Sequence, residues 1–387
     1  MNKYNSIFGQ ILKIFPRLQF DVFVRDTHAS KYSKGFSCWD QFVAMLFCQL
    51  GQAHSLREIC GGLATSLGKM VHLGLRKAPC RSTLAYANEH RPWQLYEKLF
   101  YHVFGLCKSQ FKGKHKFRFK NKLLSFDATV IELCLSIFDW AHFRRTKGAI
   151  KLHLLLDHAG YLPQFINITT GKVHEVNILK NLTFESGTIV VFDRGLIDYQ
   201  QWGQWTKQGV YFVTRLKSNA DYQIIQQNEL PKNKSIVTDQ LIKLEGFYSQ
   251  QKCPYYLRLV EKWDPLKEEI ITFVTNNLKL AASTIAAIYK DRWQIEIFFK
   301  AIKQNLRIKT FVGTSLNAVM IQIWTALIAI LLLKYLKARS TINWSLSNLV
   351  AMLRMNLLTY KDLWEWINQP YFEPPVKPKV VQERLAL

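Results

Sequence analysis

The chain has 387 residues, 49% of them apolar, which allows two or three domains around a sizeable buried core and excludes a disordered chain. Lys and Arg number 52 against 28 Asp and Glu, a formal net charge of +24. So basic a chain meets a polyanion, because phosphates release counterions when lysines and arginines replace them; nucleic acid is the expected partner, with membrane surfaces and ribosomes as the other sources of such a charge. The seven cysteines (38, 48, 60, 80, 107, 134 and 253) form no C-x-x-C pair and have no His at zinc spacing, which argues against a zinc module and a disulfide framework. Reduced thiols and the lack of a signal peptide point to the cytoplasm.

Residues 1–107 read as helical. Ile7, Phe8, Ile11, Leu12, Ile14 and Phe15 suggest a short amphipathic helix, and Trp39–Leu50 an apolar one. Ser55-Leu-Arg-Glu58 reads as a capping box that opens a helix ending at Gly61-Gly62. Further helices begin near Ser82-Thr83 and at Trp93 after Pro92. Short helices with basic residues between them fit a helix-turn-helix-like DNA-binding module or a plain helical packing domain. Lys108 to Lys122 carries seven cations, and from Lys116 it alternates cation with Phe117 and Phe119, the period of a strand with one basic face. A phosphate-tracking strand and a lysine-protected edge strand both fit.

From Leu123 the texture becomes β. Leu123–Phe126 is an apolar run ending in Asp127, followed by strand candidates Val130–Ser136 and Lys151–Leu156, with a turn at Asp157-His-Ala-Gly160. Thr188–Phe192 ends in Asp193-Arg-Gly195, and a helix at Asp198–Lys207 leads to the strand Val210–Leu216. Residues 217–279 form a β-rich stretch with a polar turn at Pro231-Lys-Asn-Lys234 and a hairpin, Tyr255–Trp263 with Glu269–Thr275. A long helix from about Ser283 to Leu306 follows. Ala318 to Leu333 is almost wholly apolar, short for a bilayer span and interrupted by Gln322, so it reads as a buried core helix. A Leu-rich helix near Leu346–Leu357 and a loose tail from Gln369 close the chain.

Asp127 and Asp193 both follow apolar strand-like runs, and side chains at the carboxyl ends of strands in an open α/β sheet converge on a ligand-binding crevice. Tyr289, Arg292, Glu296, Lys300 and Lys303 fall within an arc of about 80° on one face of a straight helix. A solvated face with i,i+4 pairs accounts for those charges. A metal ligand bracketed by phosphate-binding groups accounts also for the narrowness of the stripe between bulky apolar residues.

Tyr289-x2-Arg292-x3-Glu296-x6-Lys303 resembles the Y-R-E-K signature of the IS4 family of insertion-sequence DDE transposases. The text around Glu296 and the contexts Leu-Leu-Ser-Phe-Asp127 and Val-Val-Phe-Asp193-Arg-Gly are similar too, and the likeness spans about residues 30–355. The resemblance implies a metal-dependent DNA strand-transfer enzyme in which Asp127, Asp193 and Glu296 hold two Mg²⁺ or Mn²⁺ ions, Asp127 bridging them. It also implies that Tyr289, Arg292 and Lys303 grip phosphates and that Trp293 stacks on an extruded base or packs in the core. Lys300, Arg194, Arg215 and Lys217 are further candidate DNA contacts, whereas His153 and His174 read as structural. The implied partners are double-stranded DNA (terminal inverted repeats and target) and a second copy in a synaptic homodimer, with no membrane.

The fold class is accordingly α/β: an RNase H-like mixed-sheet catalytic core (123–216 and 280–357) with a β-rich insertion (217–279). A helical N-terminal domain (1–107) and a basic linker (108–122) precede it, and a tail (358–387) follows. Two rival functions fit much of this: an RNase H-like nuclease without strand transfer, and a non-catalytic DNA-binding protein derived from a transposase.

Overall fold

The computed structural model describes residues 5–371 except 32, 34, 67–69, 112–115, 145–146, 232–234 and 306–310. Helices come first: α1 (Ile7–Leu12), α2 (Arg17–Asp26), α3 (Cys38–Leu50), α4 (Leu56–Ala64), α5 (Arg81–His90) and α6 (Gln94–Gln110). α3 is opened by a capping box between Ser37 and Asp40 that the sequence reading missed. At α4, Ser55 Oγ accepts from the Glu58 N–H at 3.2 Å, but Glu58 reaches back to the N–H of His54, one residue before the cap. α4 runs through Gly61 and Gly62 to Ala64, so the two glycines do not end it. Ile59 and Leu63 on its apolar face are fully buried, and that packing outweighs the low helix propensity of glycine.

The basic segment after α6 is not a strand. Lys116–Lys122 follows an irregular course, and residues 112–115 lie outside the described ones. The alternation nonetheless has a physical outcome. Phe117 and Phe119 stack at 5.2 Å and pack half-buried on the core beneath the helix Ala282–Asp291, while Lys116, Arg118 and Lys120 are exposed.

The sheet is built from β1 (Leu123–Leu133), β2 (His142–Arg144), β3 (Lys147–Asp157), β4 (Leu162–Thr170), β5 (Ile189–Val191) and β6 (Tyr211–Arg215). It continues through β7 (Tyr222–Gln227), β8 (Ile236–Leu244), β9 (Leu257–Asp264) and β10 (Glu269–Thr275). Between them lie α7 (Glu175–Lys180), α8 (Tyr199–Lys207) and α9 (Phe247–Lys252). β1 is one strand where two were expected. It stays paired with β3 from Leu124 to Leu133, because both of its halves find antiparallel partners. β4-β3-β1-β5-β6, with β1, β5 and β6 parallel, is the RNase H-like order. The 217–279 stretch then extends the same sheet: β10 pairs antiparallel with β6, and β9, β8 and β7 follow outward.

One local device sets up β6. α8 ends in a Schellman turn in which Val210 N–H reaches the Trp205 carbonyl at 2.9 Å, with Gly209 at φ +71°. A Cβ at Gly209 would stand 2.5 Å from Ser186 Oγ, so the reversal into β6 needs glycine.

The closing helices are α10 (Ala282–Asp291), α11 (Trp293–Asn305), α12 (Leu316–Arg339), α13 (Leu346–Asn356) and α14 (Leu363–Asn368). The single long helix expected up to Leu306 is broken at Arg292, whose N–H and carbonyl make three-residue bonds to Tyr289 and Ile295. α12 is long and apolar enough to cross a membrane by length and composition, yet 89% of its most apolar window is buried in the protein. It is the axial helix of a core shared by the N-terminal helices, one face of β1, β3 and β4, and α11, α13 and α14. The segment expected as tail begins with α14, whose Trp366 and Ile367 are buried; residues from 372 on lie outside the described ones.

Candidate active site

β1 and β5 run in parallel register over three pairs, the last being Ser125 with Val191. Asp127 and Asp193 each stand two residues beyond that pair. Asp193 lies just past the end of β5, as expected. Asp127 lies within β1, opposite Leu154 of β3, at the level where the parallel neighbour stops. The crevice therefore opens where β5 ends, and both carboxylates face it. Glu296 comes from the first turn of α11, where the helix dipole favours a negative charge.

Arg292 joins the three. Its Nη1 donates to Asp127 Oδ2 at 3.2 Å and its Nη2 to Glu296 Oε1 at 2.8 Å, with Asp193 Oδ2 at 4.0 Å from Nη2. The guanidinium lies 5.5 Å from the Tyr289 ring centroid, and the residue is only 8% exposed. Burial opposes its charge, but Tyr289 and the three carboxylates hold it more firmly protonated than an ordinary arginine. Arg292 was expected to grip DNA phosphates; here it grips carboxylates. Among the described residues no three of His, Cys, Asp and Glu are close enough to each other to hold a metal ion as they stand. The guanidinium occupies the point on which the three acids converge. A donor set made wholly of carboxylate oxygen matches hard divalent cations.

Burial pushes the Asp127 carboxyl up to about 6, although the Ala128 N–H and Arg292 work the other way; Glu296 and Asp193 add to the rise. Between the ordinary carboxylate range and about 6 the folded chain holds a proton that the unfolded chain has lost. Stability without divalent ions is therefore expected to fall as pH rises through that window, by about 2–3 kcal/mol in all. Asp127→Asn should remove this component, so the difference between the two melting curves from pH 4 to 7 measures it. A difference independent of pH would refute the assignment.

Beside the acids a cavity of about 890 Å³ runs between the β9–β10 hairpin and α10, lined by Asp193, Arg215, Lys262, Trp263, Tyr289 and Trp293 among others. Trp293 is 58% exposed, so it is not a core residue. Arg194 and Lys217 are exposed but do not line this cavity. Lys300, exposed, and Lys303, half-buried, lie one and two turns beyond Glu296 on α11. The break at Arg292 sets Tyr289 on a different helix from Glu296, yet the ring still packs on Phe273 at 5.2 Å and faces the guanidinium. His153 is structural: it is fully buried, bonds Thr169 at 2.8 Å, and burial pushes it down to about 4.

Two groups of residues here went unread in the sequence. Lys262 and Trp263 reach the site only because β9 and β10 extend the catalytic sheet. Ser125, His158 and Asp291 form a buried cluster behind the acids, and no local pattern joins residues 33 and 133 positions apart.

The sheet order is RNase H-like, and three carboxylates meet one arginine at its crevice. The family model described as transposase DDE domain matches residues 118–332, and one for a domain of unknown function matches residues 3–76. A chain named as a transposase, y4zB of Sinorhizobium fredii, is 30% identical over 307 residues, which is 78% of this chain and 83% of that one. A chain named as the transposase of insertion sequence element IS5377 from Geobacillus stearothermophilus is 29% identical, covering 66% and 67%. Another, named for element IS4SA of Synechocystis, is 27% identical, covering 66% and 71%. A solved synaptic complex of piggyBac transposase with hairpin DNA aligns at 11% identity and a TM-score of 0.44, covering 99% and 89%. The chain belongs to the DDE transposase family, and its relatives agree with the IS4 resemblance.

Proposed function

We propose that this transposase cuts DNA at the ends of its own element and joins them to target DNA, with Asp127, Asp193 and Glu296 holding two Mg²⁺ or Mn²⁺ ions. The observation that carries the reading is the convergence of three carboxylates, from β1, from the end of β5 and from α11, on one guanidinium at 2.8–4.0 Å. Divalent ions bound there supply Lewis acidity at phosphorus and lower the cost of forming the attacking oxygen nucleophile. The chain's own residues do the rest. Arg292 turns from the carboxylates to a phosphate, Tyr289 backs it, and Trp293 stacks on a base beside the cut. Lys300, Lys303, Arg194, Arg215 and Lys217 hold the backbone around it.

The substrates are double-stranded terminal inverted repeats and target DNA, brought together by a homodimer in the cytoplasm. Residues 1–107 contribute the end recognition. Incubation with the element's own flanking ends and Mg²⁺ tests the reading, scoring both cut ends and ends joined to a plasmid. Cleavage without joining would favour the nuclease alternative. Binding without cleavage would favour the non-catalytic one.

A further inference from the structure

Behind the three acids lies a second polar cluster for which the reading above has no role. Ser125 of β1, His158 of the β3–β4 turn and Asp291, the last residue of α10, are 0%, 7% and 3% exposed. Ser125 Oγ is 2.7 Å from His158 Nε2, and His158 Nδ1 is 2.6 Å from Asp291 Oδ2. The Tyr161 hydroxyl donates to both Asp291 oxygens at 3.2 and 3.3 Å, and Lys116 Nζ adds a further bond. The His158 N–H also donates to the Leu123 carbonyl at 3.1 Å, fastening the turn to the start of β1. Tyr161 sits at φ +53°, a left-handed conformation costly for a non-glycine residue. The turn keeps that strain while its phenol reaches Asp291.

The order Ser–His–Asp and its spacings match those of a hydrolytic triad. Burial excludes that chemistry, because Ser125 Oγ is enclosed on all sides and no substrate carbonyl can reach it. The cluster instead spans two catalytic segments. Ser125 stands two residues before Asp127, and Asp291 adjoins Arg292, five residues before Glu296. Burial works against the Asp291 charge, but hydrogen bonds and charge from His158 and Lys116 hold its carboxyl below the ordinary range.

We propose that Ser125, His158 and Asp291 are positioning residues for DNA cleavage, locking the break between α10 and α11 onto the strand that carries Asp127. The proposal rests on the assignment of Asp127, Asp193 and Glu296 above. Arg292 is itself the residue that joins α10 to α11, and Glu296 lies one turn beyond it. Fixing Asp291 to β1 through His158 sets their distance from Asp127. Groups that orient metal ligands from behind contribute about 10–100-fold to affinity or activity.

The test uses the full chain with His158→Ala, His158→Asn, Asp291→Asn and Ser125→Ala. Three quantities are read: cleavage of an end at saturating DNA across an Mn²⁺ titration, end affinity, and the rise in melting temperature that Mn²⁺ causes without DNA. His158→Ala and Asp291→Asn should cleave about 10–100-fold more slowly, need more Mn²⁺ for half-maximal rate, and show a smaller Mn²⁺-induced rise. End affinity should stay within about threefold. His158→Asn keeps a donor where Nδ1 stood, so it should recover most of the rate. Ser125→Ala should lose no more rate than His158→Asn does, since each removes only the Ser125 link and leaves the His158 backbone N–H on the Leu123 carbonyl; if Asp291→Asn does not fold, the contrast between His158→Ala and His158→Asn decides. Variants that melt lower but keep the parent's rate and Mn²⁺ dependence below their melting point would overturn the proposal. So would a His158→Asn protein no better than His158→Ala. Failure of the underlying assignment looks different, because Glu296→Gln would then cleave like the parent, or the parent itself would show no Mn²⁺-dependent cleavage.

Discussion

Glu296→Gln is expected to bind element ends as well as the parent, or better, and to cleave them at least about a thousandfold more slowly at any Mg²⁺ concentration. Glutamine keeps the size of the side chain and its bond from Arg292 Nη2, now 2.8 Å, but loses the charge that holds a divalent cation. A metal ion contributes several kcal/mol of transition-state stabilisation, and each 1.4 kcal/mol is tenfold in rate. Affinity should not fall, because a negative charge near DNA phosphates has gone. Asp127→Ala and Asp193→Ala should share this separation of binding from cutting. A helix face that is merely solvated predicts another outcome: a stability change of about half a kcal/mol and full activity. End binding and cleavage are measured on the same preparations, with thermal melts as the folding control. An active Glu296→Gln protein would mean that α11 is a surface helix and not a catalytic one.

Arg292→Ala should behave differently from every carboxylate variant. Without divalent ions it should melt lower than the parent, because three carboxylates lose the guanidinium on which they converge. Removing one partner of a buried ion pair costs about 3–5 kcal/mol. The loss should lie at or below the lower end of that range, since the Asp193 side chain is 47% exposed. Adding Mn²⁺ should restore the melting temperature, and Mn²⁺ should bind more tightly than to the parent, since nothing competes for the acids. Cleavage should nonetheless fall about 10–150-fold, the equivalent of a lost charge-assisted phosphate contact of about 1.5–3 kcal/mol. A variant with parent-like melting and parent-like Mn²⁺ affinity would show that the guanidinium does not hold the carboxylates together.

The parts of this site that could be read from the sequence were those written in short runs. Thr188–Phe192 followed by Asp193 announces a strand end and its acid, and the structure agrees. Leu123–Phe126 announced an end as well, yet β1 runs on to Leu133. The sequence marks apolar burial, and only the pairing with β3 shows that the polar half of β1 stays in the sheet. The helical stripe from Tyr289 to Lys303 located Glu296 and Arg292 correctly as neighbours. It could not reveal the break at Arg292, which has no proline or glycine to signal it. Nor could it reveal that Arg292 turns to carboxylates, since Asp127 is 165 residues away. The basic alternation from Lys116 to Lys122 placed Phe117 and Phe119 inward but implied a strand, because period two records which side faces the core and not whether a partner strand exists. Gly61 and Gly62 failed as a stop signal for a similar reason: tertiary packing, invisible locally, carries α4 past them.

The claim on which the rest depends is that Asp127, Asp193 and Glu296 share divalent ions at the point where Arg292 now lies. Anomalous scattering from crystals soaked in Mn²⁺ measures this most directly. The account predicts manganese peaks about 2.0–2.2 Å from oxygens of the three carboxylates, with the Arg292 guanidinium turned away from them. Crystals that show manganese elsewhere, or none while Arg292 keeps its bonds to Asp127 and Glu296, would contradict it.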